Sequence, residues 1–284
     1  MSEVATTHAP VWLITGASSG LGHALAKAVL QHGHRAVLTA RNTVPLETLA
    51  SAYPATAFVE ALDITRSEQI TDVVRKAEAH FGSVNILVNN AGVGYLAAVE
   101  EGDDEGIRWQ FETNFFGPAE LIRAVLPKMR ERRSGTIVNI SSMAGFVSHA
   151  GMGYYAASKF ALEGLTEALW QEIEPLGLKV LLVEPGGFRT GIVQRNRFSE
   201  QIPAYAETSG AFRNFVQTAS EEVFRGDPAR AAKALIEAVE SDQKCRRIVF
   251  GSDAYDAIAG KVGALQAEYQ AGKSIAYSTD FNAK

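Results

Sequence analysis

The chain has 284 residues, 46% hydrophobic and 21% charged, which fits a soluble, globular protein of one large α/β domain or two small ones. A net charge of -5 argues against nucleic-acid binding, and the single cysteine, Cys245, excludes an internal disulfide. No apolar run approaches the roughly 20 residues of a bilayer span, and residues 1–10 lack the basic and apolar regions of a signal peptide, so a cytoplasmic protein is expected. The six histidines have no His-x-x-x-His spacing, so no metal site is expected.

Residues 1–9 read as a frayed tail. Val11–Thr15 is a short apolar run, the mark of a strand buried on both faces. It leads into Gly16-Ala17-Ser18-Ser19-Gly20-Leu21-Gly22 and then a helical pattern to Leu30. Glycines between a strand and a helix let the backbone approach a phosphate, and a helix N-terminus offers free N–H groups. Further strands are expected at 36–40, 57–62, 85–88, 135–140, 179–183 and 247–250. Helices alternate with them at 46–53, 67–80, 104–132, 154–174 and 228–239. A local irregularity is expected near Asn114, where Gly117 and Pro118 follow inside the long helix. The helix at 154–174 is expected to bury an i,i+4 stripe of Ala157, Ala161, Leu165, Leu169 and Ile173.

This alternation predicts right-handed crossovers and one doubly wound parallel sheet, an α/β fold of Rossmann type with helices on both faces. One domain over 1–284 is expected, with a core at 10–187. Residues 188–226 break the rhythm, are rich in Phe and Arg, and read as a substrate lid. A C-terminal extension at 252–284 is expected to be helical to about Tyr269 and then loose.

Tyr155 and Lys159 stand at i and i+4 on one helix face. An ammonium held beside a phenol favours the phenolate and draws the pKa down toward working pH, where it exchanges a proton with an alcohol or carbonyl oxygen. Tyr154 has Ser158 at its own i+4, which brings no charge.

Over about residues 11–190 these motifs resemble, in order, the short-chain dehydrogenase/reductase family, and the phrases at 155–163 and 184–190 resemble its hydroxysteroid/retinol-dehydrogenase-like branch. The resemblance implies a cofactor loop at Thr15–Gly22, with Gly16, Ser18, Ser19, Gly20, Leu21 and Gly22 on the nucleotide. It implies adenosine contacts at Asp63, Asn90 and Gly92, and a nicotinamide-flanking segment at Pro185, Gly186, Phe188 and Thr190. Asn114, Ser142, Tyr155 and Lys159 match the active-site residues, with Ser142 chosen over Ser141 because the family's serine precedes its tyrosine by thirteen residues. Tyr155 would exchange the proton, Ser142 would hold the carbonyl oxygen, and Lys159 would tune Tyr155 and hold the cofactor ribose. Asn114 has two readings, an anchor for a proton-carrying water or a side chain satisfying a kinked helix. A homodimer or homotetramer through the helices at 112–131 and 154–174 is also implied.

The second strand ends Ala40-Arg41, with a small neutral residue where an acid would bind the ribose of NAD, so NADP(H) is expected over NAD(H). Met143, Phe146, His149 and Ile192 are expected at the substrate, an apolar carbonyl compound or alcohol, as in a carbonyl reductase. A nucleotide-sensing regulator and a lyase or epimerase that uses the nucleotide transiently are the rival classes.

Overall fold

The computed structural model describes residues 9–191, 195–241 and 245–281. The chain opens β1 (Val11–Thr15), α1 (Gly20–Gln31), β2 (Arg35–Ala40), α2 (Val44–Ala50), β3 (Ala57–Ala61), α3 (Ser67–Phe81) and β4 (Ile86–Asn89). It continues through β5 (Tyr95–Leu96), α4 (Asp104–Phe111), α5 (Gly117–Glu131), β6 (Thr136–Ile140), α6 (Gly153–Ile173) and β7 (Lys179–Pro185). It ends with β8 (Arg197–Phe198), α7 (Ala211–Thr218), α8 (Pro228–Glu240), β9 (Arg247–Phe250), α9 (Ser252–Ala271) and α10 (Lys273–Ser278).

Seven strands form a wholly parallel sheet in the order β3-β2-β1-β4-β6-β7-β9. Winding reverses between β1 and β4, which opens a crevice at their C-terminal ends, where ligands of such sheets bind. The strands alternate their apolar residues between two cores. Leu13, Val37, Leu87, Ile137 and Leu182 pack under α3, α5 and α6. Trp12, Ile14, Leu38, Val88, Val138 and Val183 pack under α1 and α8. Strands buried on both faces are apolar at nearly every position, and a polar residue there needs a partner, which is why β1 reads as a hydrophobic run up to Thr15.

The expected helix at 104–132 is three segments. A π-helical turn, Glu112–Phe116, separates α4 from α5. Its extra residue turns Asn114 inward, a use of π-bulges common at functional sites. The expected stripe on α6 needs correction. Ala157 is exposed, and the inward face carries Ser158, Lys159, Glu163 and Thr166 besides Leu162, Leu169, Trp170 and Ile173. The polar half finds partners across the sheet, so periodicity of apolar residues alone misplaces the buried face. Asn89 Nδ2 donates to Asn139 Oδ1 (2.8 Å), and Asn139 Nδ2 donates to Thr166 Oγ1 (2.9 Å), joining β4, β6 and α6.

The segment at 188–226 is anchored. β8 pairs with β5. Glu101, its side chain 1% exposed, accepts from Ala98 N, Ile202 N, Ser199 Oγ and Arg213 Nη2. The Arg197 guanidinium lies 3.9 Å over the Trp109 ring, a cation–π contact. The C-terminal extension stays helical past Tyr269, through Ala271 and then α10, where a loose end was expected. Among the described residues no helix is long and apolar enough to cross a membrane.

Candidate active site

The loop after β1 is built for close approach. Gly16 (φ +64°) and Gly20 (φ +59°) occupy the left-handed region. Gly22 leaves room for Asn90, because a Cβ there would overlap Asn90 Nδ2 and stand 2.5 Å from Gly16 O. Asn90 Nδ2 donates to Thr15 O (2.8 Å) and Gly16 O (3.2 Å). Thr15 Oγ1 donates to Val88 O (3.2 Å) and accepts from Asn90 N and Ala91 N, both 3.0 Å. This clasp joins the ends of β1 and β4 at the point where the winding reverses. Ser19 stands at the N-cap of α1 without a side-chain cap bond and no acidic residue sits in the first turn. The first N–H groups and the positive helix end are left for an anion, with half-buried Ser18 and Leu21 at the rim.

Thr190 closes over the loop, its Cβ 3.1 Å from where a Gly20 side chain would begin. Beside it Arg195 donates to Ser19 Oγ and to Thr190 O (2.9 Å), which puts a guanidinium at the mouth of the loop. Burial holds its pKa below the usual arginine range.

At the adenosine end β2 stops at buried Ala40, and exposed Arg41 follows with no carboxylate paired to it among the described residues. Asp63 Oδ1 accepts from Thr65 N (3.0 Å) and Thr65 Oγ1 (2.8 Å), which fixes the carboxylate at the end of β3. Pro185 ends β7. Gly186 N donates to Phe250 O (2.8 Å) and Gly187 N to Asp253 Oδ2 (2.7 Å). Asp253, in the first turn of α9, thus holds the segment that follows β7. Phe188 is buried, its ring packed on Gly226 and near Phe250, so only its backbone is open to a ligand.

The residues matched to catalysis converge at the ends of β4 and β6. Tyr155 is half-buried on α6, within hydrogen-bonding reach of the Ser142 hydroxyl, which also caps the following turn by accepting from Ala144 N (3.1 Å). Ser141 faces away, as alternation along an extended chain requires. Its N–H bonds Val183 O (2.8 Å), and its hydroxyl is buried near Glu163 Oε1 beside Gly145, with no hydrogen-bond partner among the described residues. Lys159 is buried and donates to Ile140 O (3.0 Å). Asn114 bonds away from its own helix, accepting from Val93 N (2.9 Å) and donating to Val93 O (2.9 Å) and Ser158 Oγ (3.1 Å). Gly92 leaves a gap between Asn114 Oδ1 and Lys159 Nζ, which would lie 3.5 and 3.7 Å from a Cβ placed there. Tyr154 is committed elsewhere, donating to Val99 O (2.7 Å).

The pKa of Tyr155 departs from expectation. Burial raises it, and the Ser142 hydroxyl only partly offsets the rise. Burial also lowers Lys159, to about 8, and its Nζ is turned to the Ile140 carbonyl.

Of the substrate candidates, Met143 and Phe146 are half-buried just after Ser142, and exposed His149 stacks on Phe212 with ring centroids 6.4 Å apart. Ile192 lies outside the described residues. Sequence reasoning missed Arg195, Asp253 and a charged cluster of Glu163, Glu184 and Arg247. Only Glu163 carried a signal, standing four residues beyond Lys159. It also missed that His32, His34 and Glu240 converge, His34 Nε2 lying 3.1 Å from Glu240 Oε1. Trp12 Nε1 donates to His34 Nδ1 (3.0 Å), so Nε2 carries the proton and gives it to Glu240, which leaves that nitrogen no lone pair for a metal.

A doubly wound sheet with a glycine-built anion loop at its switch point and a Ser–Tyr–Lys constellation beside it defines a dinucleotide-binding oxidoreductase architecture. The chain belongs to the short chain dehydrogenase family, which it matches over residues 10–201. It is 34% identical over 257 residues to oxidoreductase BOA17 of Botryotinia fuckeliana, covering 88% of this chain and 92% of that one. It is 36% identical over 224 residues to a 3-ketodihydrosphingosine reductase of Bacteroides thetaiotaomicron, covering 79% and 81%. A short-chain dehydrogenase from Streptomyces avermitilis superposes with a TM-score of 0.90 at 44% identity, covering 96% and 100%. Two more distant solved relatives carry nucleotides. A metagenomic oxidoreductase holds NADP (28% identity, TM-score 0.67, 84% and 96% covered), and a Burkholderia phymatum protein holds NAD (25%, 0.78, 98% and 99%).

Gly22→Ala tests the clasp. The added methyl must displace Asn90 or the Gly16 carbonyl, at a cost of about 1–3 kcal/mol. The expected result is a thermal midpoint lower by several degrees and affinity for a reduced nicotinamide dinucleotide weakened about tenfold or more, read by calorimetry and by fluorescence titration.

Proposed function

We propose that the chain is an NADP(H)-dependent reductase of an apolar ketone or aldehyde, working reversibly on the corresponding alcohol. The observation that carries this is the Ser142 hydroxyl within reach of Tyr155, with the buried Lys159 one turn further along α6, beside the crevice where β1 and β4 diverge. The residues fit a nicotinamide dinucleotide: a loop of glycines, an uncapped helix end for its phosphates, and an unpaired Arg41 where β2 ends. When bound, that cofactor supplies or accepts the hydride, and the protein manages binding and the proton.

Ser142 donates a hydrogen bond to the carbonyl oxygen and fixes its position. Tyr155 delivers the proton to that oxygen as negative charge builds there. A phenol whose pKa burial raises stays protonated at neutral pH, the state a proton donor needs. Lys159 sets a positive charge behind the site and holds the nicotinamide ribose. Asn114 fixes the 92–93 backbone beside Lys159, where the gap at Gly92 takes a proton-carrying water. Met143 and Phe146 with the apolar segment around Phe212 and Phe215 supply the substrate wall, and the ketone named in the Bacteroides relative supports that class. Exposed Phe116 and Phe160, beside and on the helices expected to meet between subunits, support a dimer or tetramer.

Tyr155→Phe removes the proton donor and nothing else from the cofactor site. Turnover is expected to fall by about 10²–10⁴-fold with NADPH affinity within a few-fold of wild type, and Tyr154→Phe is expected to keep its activity. A steady-state comparison on a ketone panel decides it, and near-normal turnover in the Tyr155→Phe protein would sink the assignment.

Cofactor choice is tested by an Ala40→Asp/Arg41→Ala double variant. The new carboxylate repels a 2′-phosphate and bonds a free 2′-hydroxyl, while the guanidinium that accepts the phosphate is gone. Loss of such a charged contact costs about 1.5–3 kcal/mol, so NADPH affinity is expected to drop about 10- to 150-fold while NADH is used as well or better. Wild-type preference for NADH, as the Burkholderia phymatum complex allows, would defeat the claim.

A further inference from the structure

We propose that Glu163 is a positioning residue that keeps the Lys159 ammonium charged, and that it does so from a carboxylate cluster reaching the surface through Arg247. For its effect on turnover the proposal rests on the dehydrogenase reading above. The coupling of the two charges rests on this chain's own geometry.

On α6 the positions Tyr155, Lys159, Glu163 and Glu167 follow one another at i+4 along one face. Tyr155 is half-buried, Lys159 and Glu163 are 5% and 6% exposed, and Glu167 is open to solvent. The line of titratable side chains therefore runs from the proton donor, through the interior, to the surface. Around Glu163 stand Lys159 and Glu167 from α6, Glu184 from β7, Arg247 from β9, and the Ser141 hydroxyl from the end of β6.

Arg247 Nη1 donates to both Glu163 and Glu184 (2.6 Å to Glu184), and its Nη2 donates to Glu167 (2.5 Å). One guanidinium thus serves three carboxylates, and the cluster keeps an excess of negative charge facing Lys159. Glu163 Oε2 is spent on Arg247. Its Oε1 is buried without a hydrogen-bond partner among the described residues, as is the neighbouring Ser141 Oγ. Gly145 makes room for both oxygens, since a Cβ there would stand 2.5 Å from Ser141 Oγ and 2.7 Å from Glu163 Oε1. Lys159 and Glu163 form no direct ion pair, but as buried i and i+4 neighbours on α6 they lie close enough for the carboxylate charge to act on the ammonium through a poorly screened interior.

The direction of the coupling follows. Burial pushes Lys159 down to about 8, and the charge of Glu163 opposes that fall. Burial pushes Glu163 up to about 7, against the Ser141 hydroxyl and Arg247. As pH rises through neutrality Glu163 ionises, and its charge then helps Lys159 hold a proton over the next stretch of pH. Without the carboxylate Lys159 loses its proton earlier. A Glu163 that merely tied β9 to α6 would show no such pH dependence.

The test is Glu163→Gln, which keeps the shape and an acceptor for Arg247, with Glu167→Gln as the surface control. In protein carrying ¹³C-lysine, the Lys159 ¹³Cε signal, assigned by its absence from Lys159→Arg, is followed against pH. The wild-type midpoint is expected at about 8, that of Glu163→Gln about one pH unit lower, and that of Glu167→Gln unchanged. In turnover, the wild-type to Glu163→Gln ratio of kcat/KM is expected to rise about tenfold between pH 6 and pH 9. An unmoved Lys159 midpoint, or activity lost by one factor at every pH, would overturn the proposal. Should Glu163→Gln not fold, the wild type decides: its Lys159 signal must show an inflection where Glu163 titrates, at about 7, and a single step without one contradicts the coupling. A moved midpoint with no turnover of any carbonyl or alcohol would leave the coupling standing and remove the dehydrogenase reading, and the converse result would separate them the other way.

Discussion

A lysine ammonium buried inside an α/β domain is the constraint around which this protein is arranged. Leaving an unpaired charge in the interior costs several kcal/mol, so the neighbourhood of Lys159 has to supply both hydrogen-bond acceptors and countercharge. The Ile140 carbonyl supplies the first and the Glu163 cluster the second. Both depend on α6 turning a polar face inward, and that in turn depends on the Asn89–Asn139–Thr166 ladder, which satisfies polar groups in the middle of the sheet. The same helix then delivers Tyr155 one turn nearer the crevice, beside Ser142.

A second polar fastening works at the sheet's switch point. Thr15 and Asn90 hold the ends of β1 and β4 together, and Gly22 makes that approach sterically possible. The glycine loop and the end of β4 are therefore one mechanical unit. Asp253 and Thr190 close the far side, so the C-terminal extension takes part in shaping the site through the first turn of α9. Beyond that turn α9 buries little, Ala254 being its one buried residue among those described.

The alternation of strands with helices and the glycine loop were legible because they depend on local rules: apolar runs, turn residues and short spacings. Tyr155 and Lys159 were legible because i+4 spacing on a helix fixes adjacency. What could not be read was anything requiring long-range pairing of charges. Arg247 is 84 positions from Glu163 and 63 from Glu184, and no pattern in the chain links them. Arg195 reaches Ser19 across 176 positions. The buried face of α6 was misread because an apolar stripe was sought on a helix whose inner face is half polar. The burial that raises the Tyr155 pKa leaves no mark in the i+4 spacing, because it depends on elements packed over α6 from elsewhere in the chain.

The central claim is that hydride passes between a nicotinamide and a carbonyl carbon at this site. The most direct measurement is mass spectrometry of the alcohol formed from apolar ketones with NADPH carrying deuterium at both C4 positions of the nicotinamide. The account predicts one deuterium on the new carbinol carbon, one nucleotide oxidised per alcohol formed, and loss of both in the Tyr155→Phe protein. Product that forms without deuterium, or with the nucleotide returned unchanged, would contradict it.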